Sequence, residues 1–335
     1  MLKLNEKIRF IASFSPVLGL VAKPENRQNG ISAIVRIRGE EEWIKPSILS
    51  VHNFADEIIV LDNGASPQTL NFLNHLKANL GDQIQCATCK DLDFYELSNL
   101  GLTMARFRWS IRWDADFVAH TSGNHDIRNL RNYLLGLDPR RYYLMYLPAV
   151  ELAGDLFHQF PDLRIRNDGQ VHTSSPLAKY VPVQRNLMIS ALSSPDRVLR
   201  ESTSLKISME SLRVPKFYQI LKWENPGYFH VNVKSGWHTL QRHFWLEWLR
   251  KGDFKTHPTL ESYTLAHMQD KWGFSDPEKA IQHFIVLYCE GLDKYDSHLC
   301  GSYPELLKPY LTDPKYRVLY KDGRIIGRTE NHMKC

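Results

Sequence analysis

Through the first 120 residues, short β-branched apolar runs alternate with stretches whose apolar residues recur at helical spacing. Ile31-Ser-Ala-Ile-Val-Arg-Ile-Arg38 lies between Gly30 and Gly39 and has the pattern of a buried strand. From Glu40 to His52, the residues Trp43, Ile44, Ile48, Leu49 and Val51 predict a helix, with acids at its start where the dipole favours them. Glu57-Ile-Ile-Val-Leu61 predicts a second strand, stopped by Asp62-Asn63-Gly64. Ser66-Pro67 opens another helix with Leu70, Phe72, Leu73, Leu76 and Leu80 on its buried face. Residues 84–89 predict a third strand and residues 95–107 a helix. Trp109-Ser-Ile-Arg-Trp113 is then a strand that runs into Asp114-Ala115-Asp116. Strands and helices alternating at these lengths imply βαβ units and a mostly parallel, Rossmann-like sheet.

Beyond residue 140 the elements shorten. Strands are expected at Arg141–Leu147 and Asp162–Arg166, helices at 237–250 and 276–290, and mixed structure over 303–322. Residues 23–30 are a polar breaker and predict a linker. Ahead of it, the apolar stretch Phe10–Ala22 follows Lys3, Lys7 and Arg9. It is too short to span a bilayer, and Glu6 and Leu20 fit a cleaved signal badly, so a loosely packed N-terminal segment is expected, with a membrane surface as one setting for it. Trp237, Leu240, Phe244, Trp245, Trp248 and Leu249 form a helical stripe beside Arg242 and Arg250. Such a stripe suits core packing, with an anionic membrane surface as the other reading.

Composition narrows the function classes. With 43% hydrophobic and 24% charged residues over 335 positions, disorder and fibrous repeats are excluded. A net charge of +5 without a block of like charges excludes a dedicated nucleic-acid binder. The five cysteines at 86, 89, 289, 300 and 335 are odd in number and irregularly spaced, which favours reduced thiols over a disulfide framework. Cys86-Ala-Thr-Cys89 is half a zinc site with no second half.

The sharpest chemical feature is Trp113-Asp-Ala-Asp116. Two carboxylates one residue apart, at the carboxyl end of a parallel strand, stand where open α/β sheets bind ligands. A hard divalent cation takes such oxygen ligands together with substrate phosphates. An isolated Asp-x-Asp equally fits an ordinary turn. The dinucleotide fingerprint is absent, since Arg36-Ile-Arg38-Gly39-Glu40-Glu41 follows the first strand.

Three segments together resemble the family 2 inverting glycosyltransferases, which have the GT-A fold: Ser32 to Trp43, Ala55 to Gly64 and Trp109 to Phe117. The likeness covers residues 31–175. It implies a GT-A fold, a Rossmann-like nucleotide-binding mixed sheet flanked by helices, with a C-terminal helical and mixed extension. The chain then divides into an N-terminal segment and linker (1–30), a glycosyltransferase domain (31–235) and a mostly helical extension on the acceptor or membrane side (236–335). The resemblance assigns Asp62 to the nucleotide base or ribose, Arg38 and Asn99 to the same pocket, and Asp114 and Asp116 to metal and diphosphate. His230, in Tyr228-Phe-His-Val-Asn-Val-Lys234, is the candidate third metal ligand, and Lys234 would steady the diphosphate. A structural strand histidine is the other reading of His230.

An inverting enzyme needs a general base, for which Glu151 and Asp155 are the nearby choices. Some bacterial relatives carry a His-Glu pair after an Arg-rich strand; here Thr173 follows His172 in place of the acid. His238 and His243 are five residues apart, unlike a helical zinc pair. The expected activity is metal-dependent (Mn²⁺ or Mg²⁺) transfer of a hexose-type sugar from a UDP-, GDP- or dTDP-sugar. The acceptor would be a glycan or glycolipid, such as a lipopolysaccharide, capsule or lipid-linked oligosaccharide precursor. The expected location is cytoplasmic, with a peripheral place on the inner face of the membrane as a second reading, and no nucleic-acid partner is expected. The rivals are a sugar-phosphate nucleotidyltransferase, which would need a Gly-rich loop where only Gly39 stands, and a non-catalytic carbohydrate-binding protein on the same fold.

Overall fold

The computed structural model describes residues 4–39, 42–90, 92–161, 165–187, 205–251 and 255–328. Lys3, Glu40, Glu41, residues 162–164 and Cys335, with the side chains of Leu249 and Arg250, lie outside the described residues. The first part of the chain forms α1 (Leu4–Ala12), β1 (Gln28–Gly39), α2 (Ile44–Val51), β2 (Glu57–Ala65), α3 (Pro67–Leu80), β3 (Ile84–Thr88), α4 (Phe94–Met104) and β4 (Phe107–Arg112). There follow β5 (Phe117–Val118), α5 (Ile127–Leu135), β6 (Tyr143–Ala153), β7 (His158–Gln159), β8 (Ile165–Thr173), β9 (Lys179–Leu187), β10 (Leu205–Arg213), β11 (Gln219–Lys222) and β12 (Tyr228–Asn232). The last part adds α6 (Gly236–Lys251), α7 (Leu260–Trp272), α8 (Pro277–Glu290), β13 (Asp293–Lys294), α9 (Ser297–Cys300), β14 (Val318–Lys321) and β15 (Arg324–Arg328).

The parallel core has the order β3-β2-β1-β4, joined by crossovers through α2, α3 and α4. β8 pairs antiparallel with β4, and β6 antiparallel with β8. On its other side β6 runs parallel to β11 and β12. β9 and β10 make a separate antiparallel pair, as do β14 and β15. The mixed α/β sheet flanked by helices that the resemblance implies is therefore present.

Local sequence explains the parallel core. Ile31, Ala33, Val35 and Ile37 enter the main core while Ile34 enters the smaller one beneath α4, so β1 is buried on both faces and reads as a continuous apolar run. Ser66 caps α3 by accepting from the Thr69 amide, and Asp93 and Glu96 form a capping box on α4. Gly101 lets α4 approach β1, because a Cβ there would stand 2.4 Å from Ile34 Cγ2.

Several boundaries differ from expectation. β1 begins at Gln28, inside the polar stretch assigned to a linker, because Gln28 pairs with Phe107 on β4. At Gly30 a Cβ would stand 2.4 Å from the Phe107 ring, which a side chain would displace. β6 continues to Ala153, so Glu151 belongs to a strand. In α6, Leu240 and Phe244 are fully buried against Tyr263, Phe284 and Ile285, with Trp237 and Trp248 packed partly against them, so this part of the stripe belongs to the core while Trp245 is exposed. Cys86, Cys89, Cys289 and Cys300 are free thiols. Among the described residues no helix is long and apolar enough to cross a membrane.

Candidate active site

The carboxyl ends of β2, β1 and β4 lie side by side. Ile37 pairs with Asp62 across β1–β2, Ile34 pairs with Arg112 across β1–β4, and the Trp113 amide donates to the Ile34 carbonyl at 2.8 Å. Asp62 and Asp114 are thus two strands apart, about 10 Å at the usual strand spacing. The Asp62 carboxylate is fixed by its own turn: Oδ1 accepts from the amides of Gly64 at 2.9 Å and Ala65 at 2.6 Å.

Asp114 lies in a ladder of alternating charge. Arg36 Nη2 donates to its Oδ1 at 3.0 Å, and Arg112 Nε faces its Oδ2 at 3.4 Å. Both arginines also bind Glu210 Oε1 from β10, Arg36 at 2.7 Å. Ser98 on α4 donates to the other Glu210 oxygen at 2.8 Å. Burial works against an ionised Asp114, but Arg112 and Arg36 outweigh it and hold the carboxyl below its usual range.

Asp116 heads a second cluster. Lys234 Nζ donates to its Oδ2 at 2.7 Å, and His230 Nε2 lies 3.5 Å from the same oxygen. On its far side His230 Nδ1 faces both Glu151 oxygens at 2.9 and 3.0 Å, across the β12–β6 register that pairs the two residues. Glu151 is 2% exposed, with Arg166 Nη1 3.6 Å from its Oε1. Burial disfavours a charged His230, yet Asp116 and Glu151 prevail and push it up to about 10. For Asp116 burial is likewise outweighed, by His230 and Lys234, so its carboxyl is held well below the usual range. The Trp43 indole donates to the Val233 carbonyl at 2.6 Å and pins the chain beside Lys234.

The remaining expected residues stand elsewhere or are otherwise engaged. Arg38 is exposed at the end of β1, and Arg36, two residues earlier on the same face, is the arginine that meets Asp114. Asn99 Nδ2 donates to the Tyr180 carbonyl at 2.7 Å and its Oδ1 accepts from the Tyr180 amide at 2.9 Å, clamping β9 to α4. Asn99→Ala is therefore expected to cost about 1–3 kcal/mol, because two buried main-chain groups lose their partner. A urea titration measures this, and nucleotide affinity should hold at wild-type level.

Asp155 is fully buried. Its Oδ1 accepts from the Phe157 amide and His158 Nδ1, both at 2.7 Å, and its Oδ2 from the Val318 amide at 2.8 Å. That carboxylate fastens the β14–β15 hairpin and has no exposed surface to offer an acceptor. His172 is fully buried too and pushed down to about 4 by burial, and Thr173 Oγ1 accepts from the Tyr143 amide. His243 sits against Trp272 and Phe284, pushed down to about 4 by burial and then by Lys271. Among the described residues no group of three or more His, Cys, Asp and Glu side chains forms a ready metal cage.

Arg36, Arg112 and Glu210 are not among the site residues expected from the sequence. Arg36 and Arg112 stand inside quoted strand motifs, and two arginines in buried strands were the available signal. Glu210 carried none.

No family model and no curated protein matches the chain. Solved structures similar to it include Staphylococcus aureus TarS 1–349, at 14% identity and a TM-score of 0.38, covering 90% of this chain and 98% of that one. Another is the mannosyltransferase PcManGT from Pyrobaculum calidifontis in complex with GDP-Man and Mn²⁺, at 12% identity and a TM-score of 0.36, covering 92% and 94%. A further S. aureus TarS structure has 17% identity and a TM-score of 0.30; the match covers 37% of this chain and 22% of that one. Scores this low do not by themselves establish a common fold. What the chain itself displays is a paired-carboxylate, multi-cation site at the carboxyl ends of parallel strands in a mixed α/β sheet.

Proposed function

We propose that the chain is a glycosyltransferase that moves a sugar from a nucleoside-diphosphate donor to a hydroxyl of a glycan or glycolipid precursor. One observation carries the reading: Asp114 and Asp116, at the mouth of the parallel sheet, are each flanked by cations, Arg36 and Arg112 on one side and Lys234 and His230 on the other. Open α/β sheets bind their ligands at this edge.

The residues divide the work as follows. Asp62, oriented by its turn, takes the nucleoside above β1 and β2, its second oxygen accepting from a base edge or ribose hydroxyl. Arg36, Arg112 and Lys234 take the diphosphate. Negative charge grows on the diphosphate as the glycosidic bond breaks, so cations fixed in advance favour the transition state over the bound donor. The donor set also fits a divalent cation. Asp116 and His230 would hold Mn²⁺ or Mg²⁺ with phosphates and water completing the shell, His230 giving up its Nε2 proton as the ion binds, and Glu151 behind His230 is the carboxylate that commonly orients a ligating imidazole. When bound, the ion supplies Lewis-acid charge to the leaving group. Lys234 then has to move from Asp116 toward the phosphates. Glu151, buried behind the imidazole, positions His230.

The test is a thermal-shift screen of UDP-, GDP- and dTDP-sugars with and without Mn²⁺. One donor is expected to stabilise the protein, by about 2.7 kcal/mol at a hundredfold excess over Kd. If none does under either condition, the reading is abandoned; binding without any release of nucleoside diphosphate in the presence of glycan acceptors would instead favour a non-catalytic carbohydrate-binding protein.

A further inference from the structure

Exposed apolar side chains are unevenly spread over the molecule. Among the described residues, six of the seventeen large exposed ones lie between residues 8 and 20: Ile8, Phe10, Ile11, Phe14, Leu18 and Leu20. Isolated exposed apolar residues are ordinary on a protein surface, but six within thirteen positions make a patch. Ile11, Leu18 and Leu20 are 72%, 70% and 73% exposed, so the fold itself makes little use of them.

The patch is held in place. Arg9 Nη1 donates to the Pro215 carbonyl at 3.1 Å, Arg141 donates to Ser13 Oγ and lies over the Phe14 ring at 4.1 Å, and Tyr142 donates to the Ala22 carbonyl at 3.2 Å. α1 and the turns after it are thus docked by polar and backbone groups and by the Phe14 ring, while Ile11, Leu18 and Leu20 face outward.

Charge decides what such a surface meets. Residues 4–27, together with the stretches they touch at 138–142 and 215–219, carry seven basic residues (Lys7, Arg9, Lys23, Arg27, Arg140, Arg141, Lys216) against three acidic ones (Glu6, Glu25, Asp138); the four arginines are held by protein partners, and Lys7, Lys23 and Lys216 are exposed. That excess of four compares with +5 for the whole chain. Outward apolar residues set in a basic surround match the interfacial zone of an anionic membrane, where acyl chains take the apolar groups and head groups the cations. Two copies of this face would repel each other.

We propose that residues 4–22 are a docking surface for an anionic phospholipid bilayer, with the apolar side chains of α1 and its following turns entering the head-group region and the surrounding basic residues meeting lipid phosphates. The proposal is independent of the transferase reading, because its readout is lipid binding.

The experiment is co-sedimentation of the full chain with vesicles of pure phosphatidylcholine and of equal parts phosphatidylcholine and phosphatidylglycerol. The wild type is expected to pellet with the anionic vesicles and to be released by high salt, which screens the head groups. Ile11→Asp/Leu18→Asp/Leu20→Asp should weaken that binding at least about tenfold while far-UV circular dichroism stays unchanged. Lys7→Glu/Lys23→Glu should reduce the preference for phosphatidylglycerol. No binding of the wild type to anionic vesicles overturns the proposal, as does undiminished binding of the triple aspartate variant. A wild-type dimer that the triple variant converts to monomer, with no vesicle binding, overturns it in favour of a protein partner.

Discussion

Asp116→Asn is expected to lower turnover of the nucleotide sugar by about 10²–10³-fold, the range seen when one preorganised electrostatic contact to a developing charge is removed. The carboxylate is the common partner of Lys234 and His230, and those two cations hold it ionised, so the wild type carries its charge at every pH at which the enzyme would be assayed. Asparagine keeps the volume and removes the charge. Lys234 and His230 are then left facing a neutral group. The side chains are 15% and 24% exposed, so solvent screens part of their mutual repulsion and the protein should remain folded. The measurement is nucleoside-diphosphate release under saturating donor, with circular dichroism to confirm the fold. Asp155→Asn is the contrasting variant. Its carboxylate binds two amides and His158 in the interior, so stability should fall while turnover per folded molecule holds. If Asp116→Asn keeps a tenth or more of wild-type turnover, the acidic pair does not serve the leaving group.

The two aspartates also show how far the sequence can be followed. Asp114 and Asp116 were visible because a buried parallel strand is a continuous apolar run and its carboxyl end is a known ligand position. The same physics made β1, β2 and β4 legible, and capping residues marked where α3 and α4 begin. What the sequence withheld were pairings between distant residues. Arg36 and Glu210 are 174 positions apart, and Glu151 and His230 are 79 apart, so neither contact leaves a local pattern. Glu151 lies beyond the strand expected at Arg141–Leu147; β6 runs on through Pro148 to Ala153, with a register irregularity against β8 between Leu147 and Ala149. α7 went unread for a different reason. It buries Tyr263, Thr264 and Met268, a set too mixed in polarity to announce an apolar stripe. The β9–β10 pair, which brings Glu210 to the site, is likewise specified by its partner strand and by the Asn99 clamp on Tyr180.

The second large effect lies at the opposite end of the parallel sheet. Glu57→Ala is expected to destabilise the fold by about 3–5 kcal/mol, the usual cost of removing one member of a buried charged network. Glu57 is fully buried at the start of β2, and its two oxygens join four strands. Oε1 accepts from the Ser32 hydroxyl on β1 and from the Arg106 amide at the entrance to β4, both at 2.6 Å. Oε2 accepts from Arg106 Nε at 2.6 Å and from Gln85 Nε2 on β3 at 3.3 Å. Ser32 in turn accepts from the Phe107 amide at 3.2 Å. Alanine strands the Ser32, Arg106 and Gln85 donors at once, and the guanidinium, which is 58% exposed, is the one that water can readily recover. Glu57→Gln keeps the size and one acceptor oxygen, so its loss should be smaller, and it serves as the measurable variant if alanine prevents folding. Urea unfolding should show a lower midpoint with an unchanged slope, because the surface exposed on unfolding is the same. Since Glu57 stands at the amino ends of strands whose carboxyl ends hold Asp62 and Asp114, turnover per folded molecule should be unaffected. A midpoint shift worth less than about 1 kcal/mol would mean that the four strands are aligned by apolar burial alone and that the carboxylate network adds nothing to it.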